Sequence, residues 1–116
     1  MASFELIYEE DEDVLEVTFV TFDENFARTI ALNDNIVLYT DTEFKAAWGL
    51  TLYSYAQLLQ VSETHLDGLR PLDGVRLQKL LRLISMPPIS CFLQMIAVGE
   101  LRALVKAPNL EQLLQG

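Results

Sequence analysis

The chain has 116 residues, 51% of them hydrophobic, and a formal net charge of −9 at pH 7. A chain of this length is expected to form one domain, residues 1–116, that folds without a metal or a disulfide. The negative field opposes a nucleic-acid partner, and one cysteine, Cys91, excludes an intramolecular disulfide.

The N-terminal residues, from Met1 to Glu5, carry neither a basic region nor an apolar stretch, so no signal peptide is expected. Phe4 to Tyr8 reads as a short strand. Glu9 to Asp13 is a charged turn. Val14 to Val20 is β-branched and aromatic, with Leu15, Val17 and Phe19 at period two, and predicts a second strand. Asp23-Glu24-Asn25 breaks it. Ala27 to Leu32 predicts a third strand, and Asn33-Asp34-Asn35 is a strong turn because these residues bond their own backbone. Ile36 to Tyr39 and Trp48 to Leu52 predict the fourth and fifth strands. Short links between successive strands predict an antiparallel meander over residues 1–53.

From residue 54 onward the pattern turns helical. Ser54 is a candidate cap for a helix carrying Leu58 and Leu59. Residues 62–74 read as a loop, with His65 on it. Asp73 is the candidate cap of the next helix, where Leu77, Leu80, Leu81 and Ile84 follow the spacing of a buried helical face. Pro87-Pro88 stops that helix. Ile89 to Val98 fits either a helix or a buried strand. Leu101, Leu104 and Val105 predict another helix, and Asn109 is placed to cap a last one with Leu110, Leu113 and Leu114. The fold class expected is therefore α+β: an antiparallel β-meander of about five strands followed by a C-terminal helical layer on one face.

Residues 4–60 also carry a family resemblance. Tyr8 to Val17 resembles an acidic hairpin, Ile30 to Leu38 a strand–turn–strand around Asn33-Asp34-Asn35, and Trp48 to Leu52 a Gly-containing last strand. Together these are similar to the small bacterial domains of domain-of-unknown-function family 2283. Glu9 stands where that family usually has Asp, and Glu16-Val17 replaces its Tyr-Ile pair. The resemblance implies a β-meander and no activity, and the C-terminal half has no counterpart in it.

Charge divides the chain by position. Residues 1–45 hold twelve acids against Arg28 and Lys45, whereas residues 46–116 hold five acids against six bases. The five consecutive acids Glu9 to Asp13 invite comparison with a calcium loop. Counting from Asp11, position five is Leu15 and position six is Glu16, so the required alternation and glycine are missing. A solvated turn that blunts a sheet edge is the reading favoured. His65 is the single histidine, with no nucleophile or orienting acid at an instructive spacing. Cys91 lies in an apolar run and reads as a buried structural thiol. No phosphate-cradling glycine pattern occurs.

Two features remain. Arg76, Lys79 and Arg82 form a basic stripe on the helix after Asp73, and are candidates for ion pairs with the acidic front half. The apolar fraction is high for so small a domain, which points to a subunit or partner interface. Leu77, Leu80, Leu81, Ile84, Phe92, Leu101 and Leu104 are the interface candidates. The function expected is a non-catalytic protein-interaction or assembly module, homodimeric or bound to a protein partner, with no cofactor and no membrane association, in the cytoplasm. The alternative is a small-molecule or divalent-metal-binding domain with a pocket between sheet and helices lined by Trp48, Tyr53 and Phe92.

Overall fold

The computed structural model describes residues 4–108. Five strands form one antiparallel sheet: β1 (Glu5–Glu9), β2 (Val14–Thr18), β3 (Arg28–Ala31), β4 (Ile36–Thr40) and β5 (Ala47–Tyr53). Their spatial order is β1-β2-β5-β4-β3. The five predicted strands are present and antiparallel, but the sheet is not a simple meander, because β5 lies between β2 and β4. The reason is burial. β5 is the most enclosed strand of the sheet, with Ala47, Gly49, Leu50, Thr51 and Leu52 all buried, and that composition belongs in the centre. The link from Phe19 to Ala27 is long enough to carry the chain from β2 to the far edge, where β3 starts.

Register aligns the core face. Leu15 and Val17 sit opposite Leu52 and Leu50, and Ile36 and Leu38 sit opposite Leu52 and Leu50 from the other side. Alternate residues therefore face outward, among them Glu16, Thr51 and Tyr39. On that outer face Phe22 folds over Gly49, its ring 5.6 Å from Tyr39 and 5.7 Å from Trp48. A Cβ on Gly49 would sit 3.1 Å from the Phe22 ring and 3.1 Å from the Val17 carbonyl oxygen, so the bare backbone admits the ring.

The second layer differs from the expected helical one. It contains the one-turn helix α1 (Tyr55–Leu58), the longer α2 (Gly74–Ile84) and a three-stranded antiparallel sheet in the order β6-β8-β7. Those strands are β6 (Thr64–His65), β7 (Leu93–Ala97) and β8 (Arg102–Val105). Thus Ile89 to Val98 resolves into a single-turn 3-10 helix and a strand, and the helix predicted around Leu101, Leu104 and Val105 is a strand. In β8, Ala103 and Val105 are buried while Arg102 and Leu104 are partly exposed, a period of two that the apolar spacing alone did not separate from a helical one. The residues expected to form a last helix from Asn109 lie outside the described ones.

One hydrophobic core joins the layers. Leu80 and Ile84 of α2, Phe92, Leu93 and Leu66 are fully buried against the sheet residues just named. The Phe19 and Phe92 rings meet at 6.1 Å across the layer boundary. At the β3 end the layers approach closely: the Gly68 amide donates to the Leu32 carbonyl at 2.8 Å, and a Cβ on Gly68 would lie 1.8 Å from the Ala31 oxygen.

Candidate functional site

The acidic turn is built around Asp13, which adopts a left-handed φ of 54°. Its Oδ1 accepts from the Tyr8 hydroxyl at 2.7 Å and from the Ala56 amide at 2.8 Å, and its carbonyl accepts from the Tyr55 amide at 3.1 Å. Asp13, not Ser54, therefore caps α1; Ser54 occupies the cap position without a side-chain hydrogen bond. The Tyr8 hydroxyl and the Ala56 amide hold the Asp13 carboxyl below its usual range, and the same hydrogen bond to Asp13 pushes the Tyr8 phenol up. The other acids of the turn project outward. Among the described residues, no group of three His, Cys, Asp or Glu side chains is placed to hold a metal ion.

This knot positions β1, which among the described residues is an unpaired edge of the large sheet. All five of its residues are exposed, including Leu6 (38%), Ile7 (43%) and Tyr8 (44%). Register places Leu6 and Tyr8 opposite Val17 and Leu15, on the core side, and Glu5, Ile7 and Glu9 on the outer side. The ladder to β2 runs through five consecutive pairs without a bulge. The opposite edge, β3, is flanked at its end by the Gly68 segment. In addition, Asn33 Nδ2 donates to the His65 carbonyl at 3.0 Å and to Thr64 Oγ1 at 3.1 Å.

A second surface lies between the Asp41–Ala47 turn and α2. Asp41 Oδ1 accepts from the Lys45 and Ala46 amides at 2.7 and 3.1 Å. Within this turn Phe44 has φ 59°, an unusual backbone for a bulky residue, and its ring lies 5.7 Å from the Arg28 guanidinium carbon. Phe44, Leu83 and Met86 floor a groove of about 390 Å³ whose rim is Glu43, Lys45, Lys79 and Arg82. Glu43 is paired with Lys45 at 2.7 Å, and the neighbouring Lys45 and Lys79 charges keep its carboxyl low. Among the described residues, Arg76, Lys79 and Arg82 make no ion pair within 4 Å; the pairs formed use Lys45, Arg70 and Arg102.

The third surface comes from the uncharged run Leu83 to Gly99. Its exposed members include Met86 (48%), Ile96 (50%) and Val98 (50%). β7 is an outer strand of its sheet, with a register shift between Met95 and Ala97 that sets Ile96 out of the ladder. Ser85, Ser90, Met95, Val98 and the base Lys106 share a shallow cleft there, so the end of α2 and β7 form one surface.

Single-residue expectations resolve unevenly. Leu80, Ile84 and Phe92 have no accessible surface, and Leu101 has 9%, so these four interface candidates belong to the core of one chain. Leu77 and Leu81 are half-buried and pack against that core, and Leu104 is half-buried on β8. Trp48, Tyr53 and Phe92 do not gather around one pocket: Trp48 packs with Phe22 outside the sheet, Tyr53 is exposed, and Phe92 is internal. His65 sits on β6, exposed, opposite Arg102. Arg102 is clamped by Glu63 at 3.0 Å and Glu100 at 2.7 Å. Cys91 is buried, 2% exposed. Sequence reasoning missed Asp13 as a cap and Phe44 as part of the groove.

No family model, curated protein or solved structure matches the chain. Among the described residues, no helix is long and apolar enough to cross a membrane.

Proposed function

We propose that the chain is a non-catalytic assembly module that forms a homodimer through the half-exposed apolar residues at the end of α2 and β7. The observation that carries this reading is that Met86, Ile96 and Val98, each about half exposed, all fall in one stretch of sequence, 83–99, that holds no charge in a protein with net charge −9. The β1–β2 hairpin is acidic and the outer side of α2 is basic, so each would repel its own copy, and the apolar patch is the surface on which two copies approach with least repulsion. The original candidates thus shift outward along the same segment, from the buried Phe92 to Ile96 and Val98. The likeness to family 2283 adds an expected sheet and no activity. The test is mass in solution. Ile96→Glu and Val98→Glu, on exposed side chains, should return a dimer to monomer with folding unchanged; equal mass before and after refutes the patch as the interface.

A second reading, a small-molecule site between sheet and helix, is favoured by the groove at Phe44. Lys79 and Arg82 stand over an apolar floor there, which suits an anion with a flat apolar body better than a divalent cation. Nuclear magnetic resonance titration with benzoate against benzyl alcohol tests it. Shifts at residues 43–45 and 79–86 with benzoate alone support the reading, and equal shifts with both compounds dismiss it.

A further inference from the structure

We infer that the outer edge of β1 receives an extended segment of another protein, with basic residues flanking an apolar centre, added as a sixth strand of the large sheet. This surface is separate from the one proposed for dimerisation and stands or falls independently of it.

Among the described residues, β1 is the longest edge strand whose ladder has no register shift. Natural sheets protect their edges with bulges, prolines, charged side chains or a covering loop. β7 carries a bulge, and β3 is approached by the Gly68 segment. β1 carries no bulge and no proline, its five residues are all exposed, and its only charges, Glu5 and Glu9, turn away another acidic strand but not a basic one. An antiparallel strand bonds its neighbour with only half of its N–H and C=O groups, so the remainder point away from β2. The knot at Asp13 fixes the strand at one end through the Tyr8 hydroxyl bond of 2.7 Å, so the edge is presented as a set template.

Charge selects the occupant. Residues 5–18 hold seven acids and no base. A second copy would pair with this edge in antiparallel fashion about a two-fold axis, and side chains on one face must then stay on one face. Full overlap centres on Ile7 and places Glu5 of each copy opposite Glu9 of the other. Like charges directly opposite are unfavourable, and the two acidic turns would add to the repulsion. A partner strand with Lys or Arg at both ends reverses each of these contacts. Glu5, Ile7 and Glu9 share the outer face, and Leu6 and Tyr8 the inner one. The complementary strand therefore reads basic–apolar–apolar–apolar–basic, and this pattern is the same in either direction. Main-chain bonds along the edge supply affinity, and the two charge pairs supply selection.

The experiment uses the full chain and a fluorescein-labelled peptide containing Lys-Val-Ile-Val-Lys, read by anisotropy. The control is the same peptide with alternate backbone nitrogens methylated, which keeps the charge and removes the donors. Binding of the parent peptide at least tenfold tighter than the methylated one, and at least tenfold weaker for Glu5→Lys/Glu9→Lys, is the expected result. Equal binding of both peptides would mean simple attraction to the acidic turn, and would overturn the inference, as would no binding at all. The peptide control uses the unaltered protein, so a misfolded variant leaves the test intact. A third outcome, self-association of the unaltered chain that Ile7→Lys abolishes, would assign the edge to a second copy and overturn it too.

Discussion

Asp13 connects three pieces of chain through one carboxylate and one carbonyl: the end of β1, the start of β2 and the first turn of α1. Its carboxyl is held below the usual range by the Tyr8 hydroxyl and then the Ala56 amide, so it binds its proton less readily in the folded chain than in the unfolded one. The sign follows from linkage. The stabilisation is complete above the ordinary carboxylate range and is lost as pH falls through the lowered folded value. Thermal melts from pH 7 downward should show Asp13→Asn flattening the acid-side decline relative to the unaltered chain; parallel curves would deny the link. Asn also tolerates the φ of 54° at this position, so the backbone is not disturbed. At Gly68 the constraint is steric. A Cβ there meets the Ala31 carbonyl oxygen at 1.8 Å, and that atom is backbone in a strand. Gly68→Ala should cost about 1–3 kcal/mol or more in denaturant unfolding, and no measurable cost would mean the layers do not pack this closely. The acidic turn was legible as a turn, but the capping role of Asp13 was not, because its partner amide at Ala56 is 43 positions away.

Elements in the front half were readable because each strand is punctuated. Asp23-Glu24-Asn25 and Asn33-Asp34-Asn35 mark breaks by their own backbone bonds, as the Asn35 amide donating to Asn33 Oδ1 at 2.8 Å illustrates. Their pairing was less readable, since burial moved β5 to the centre. In the back half, α2 appears where Leu80 and Ile84 predicted a buried face, and both are fully buried. The segment around Ala103 reads equally at a helical period and at period two, and pairing with β7 and β6 decides for the strand. Two predictions belong to α2. Leu80→Ala should destabilise by about 2–5 kcal/mol, as a cavity in a joint core does, checked by denaturant unfolding. Arg76→Glu together with Lys79→Glu should change stability by no more than about 0.5 kcal/mol, because neither side chain makes an ion pair within 4 Å among the described residues. A loss several times larger would reveal an ion pair with the acidic half.

Over the whole molecule, charge sorts the surface into three regions. The β1–β2 hairpin is acidic and basic-free, the α2 groove gathers Lys45, Lys79 and Arg82 around Phe44, and the end of α2 with β7 is mainly apolar, with Lys106 in its cleft. The last lets two identical copies meet with the least opposing charge, whereas the first selects a basic partner. Salt separates the two modes: contacts through the apolar patch should persist at high ionic strength, and basic-peptide binding at β1 should weaken. The measurement that bears most directly on the assembly reading is light scattering on a sizing column at low and high salt. A mass near twice 13.2 kDa at both salts, falling to 13.2 kDa with Val98→Glu, is the expected result. A mass of 13.2 kDa for the unaltered chain at both salts and at high concentration would contradict it.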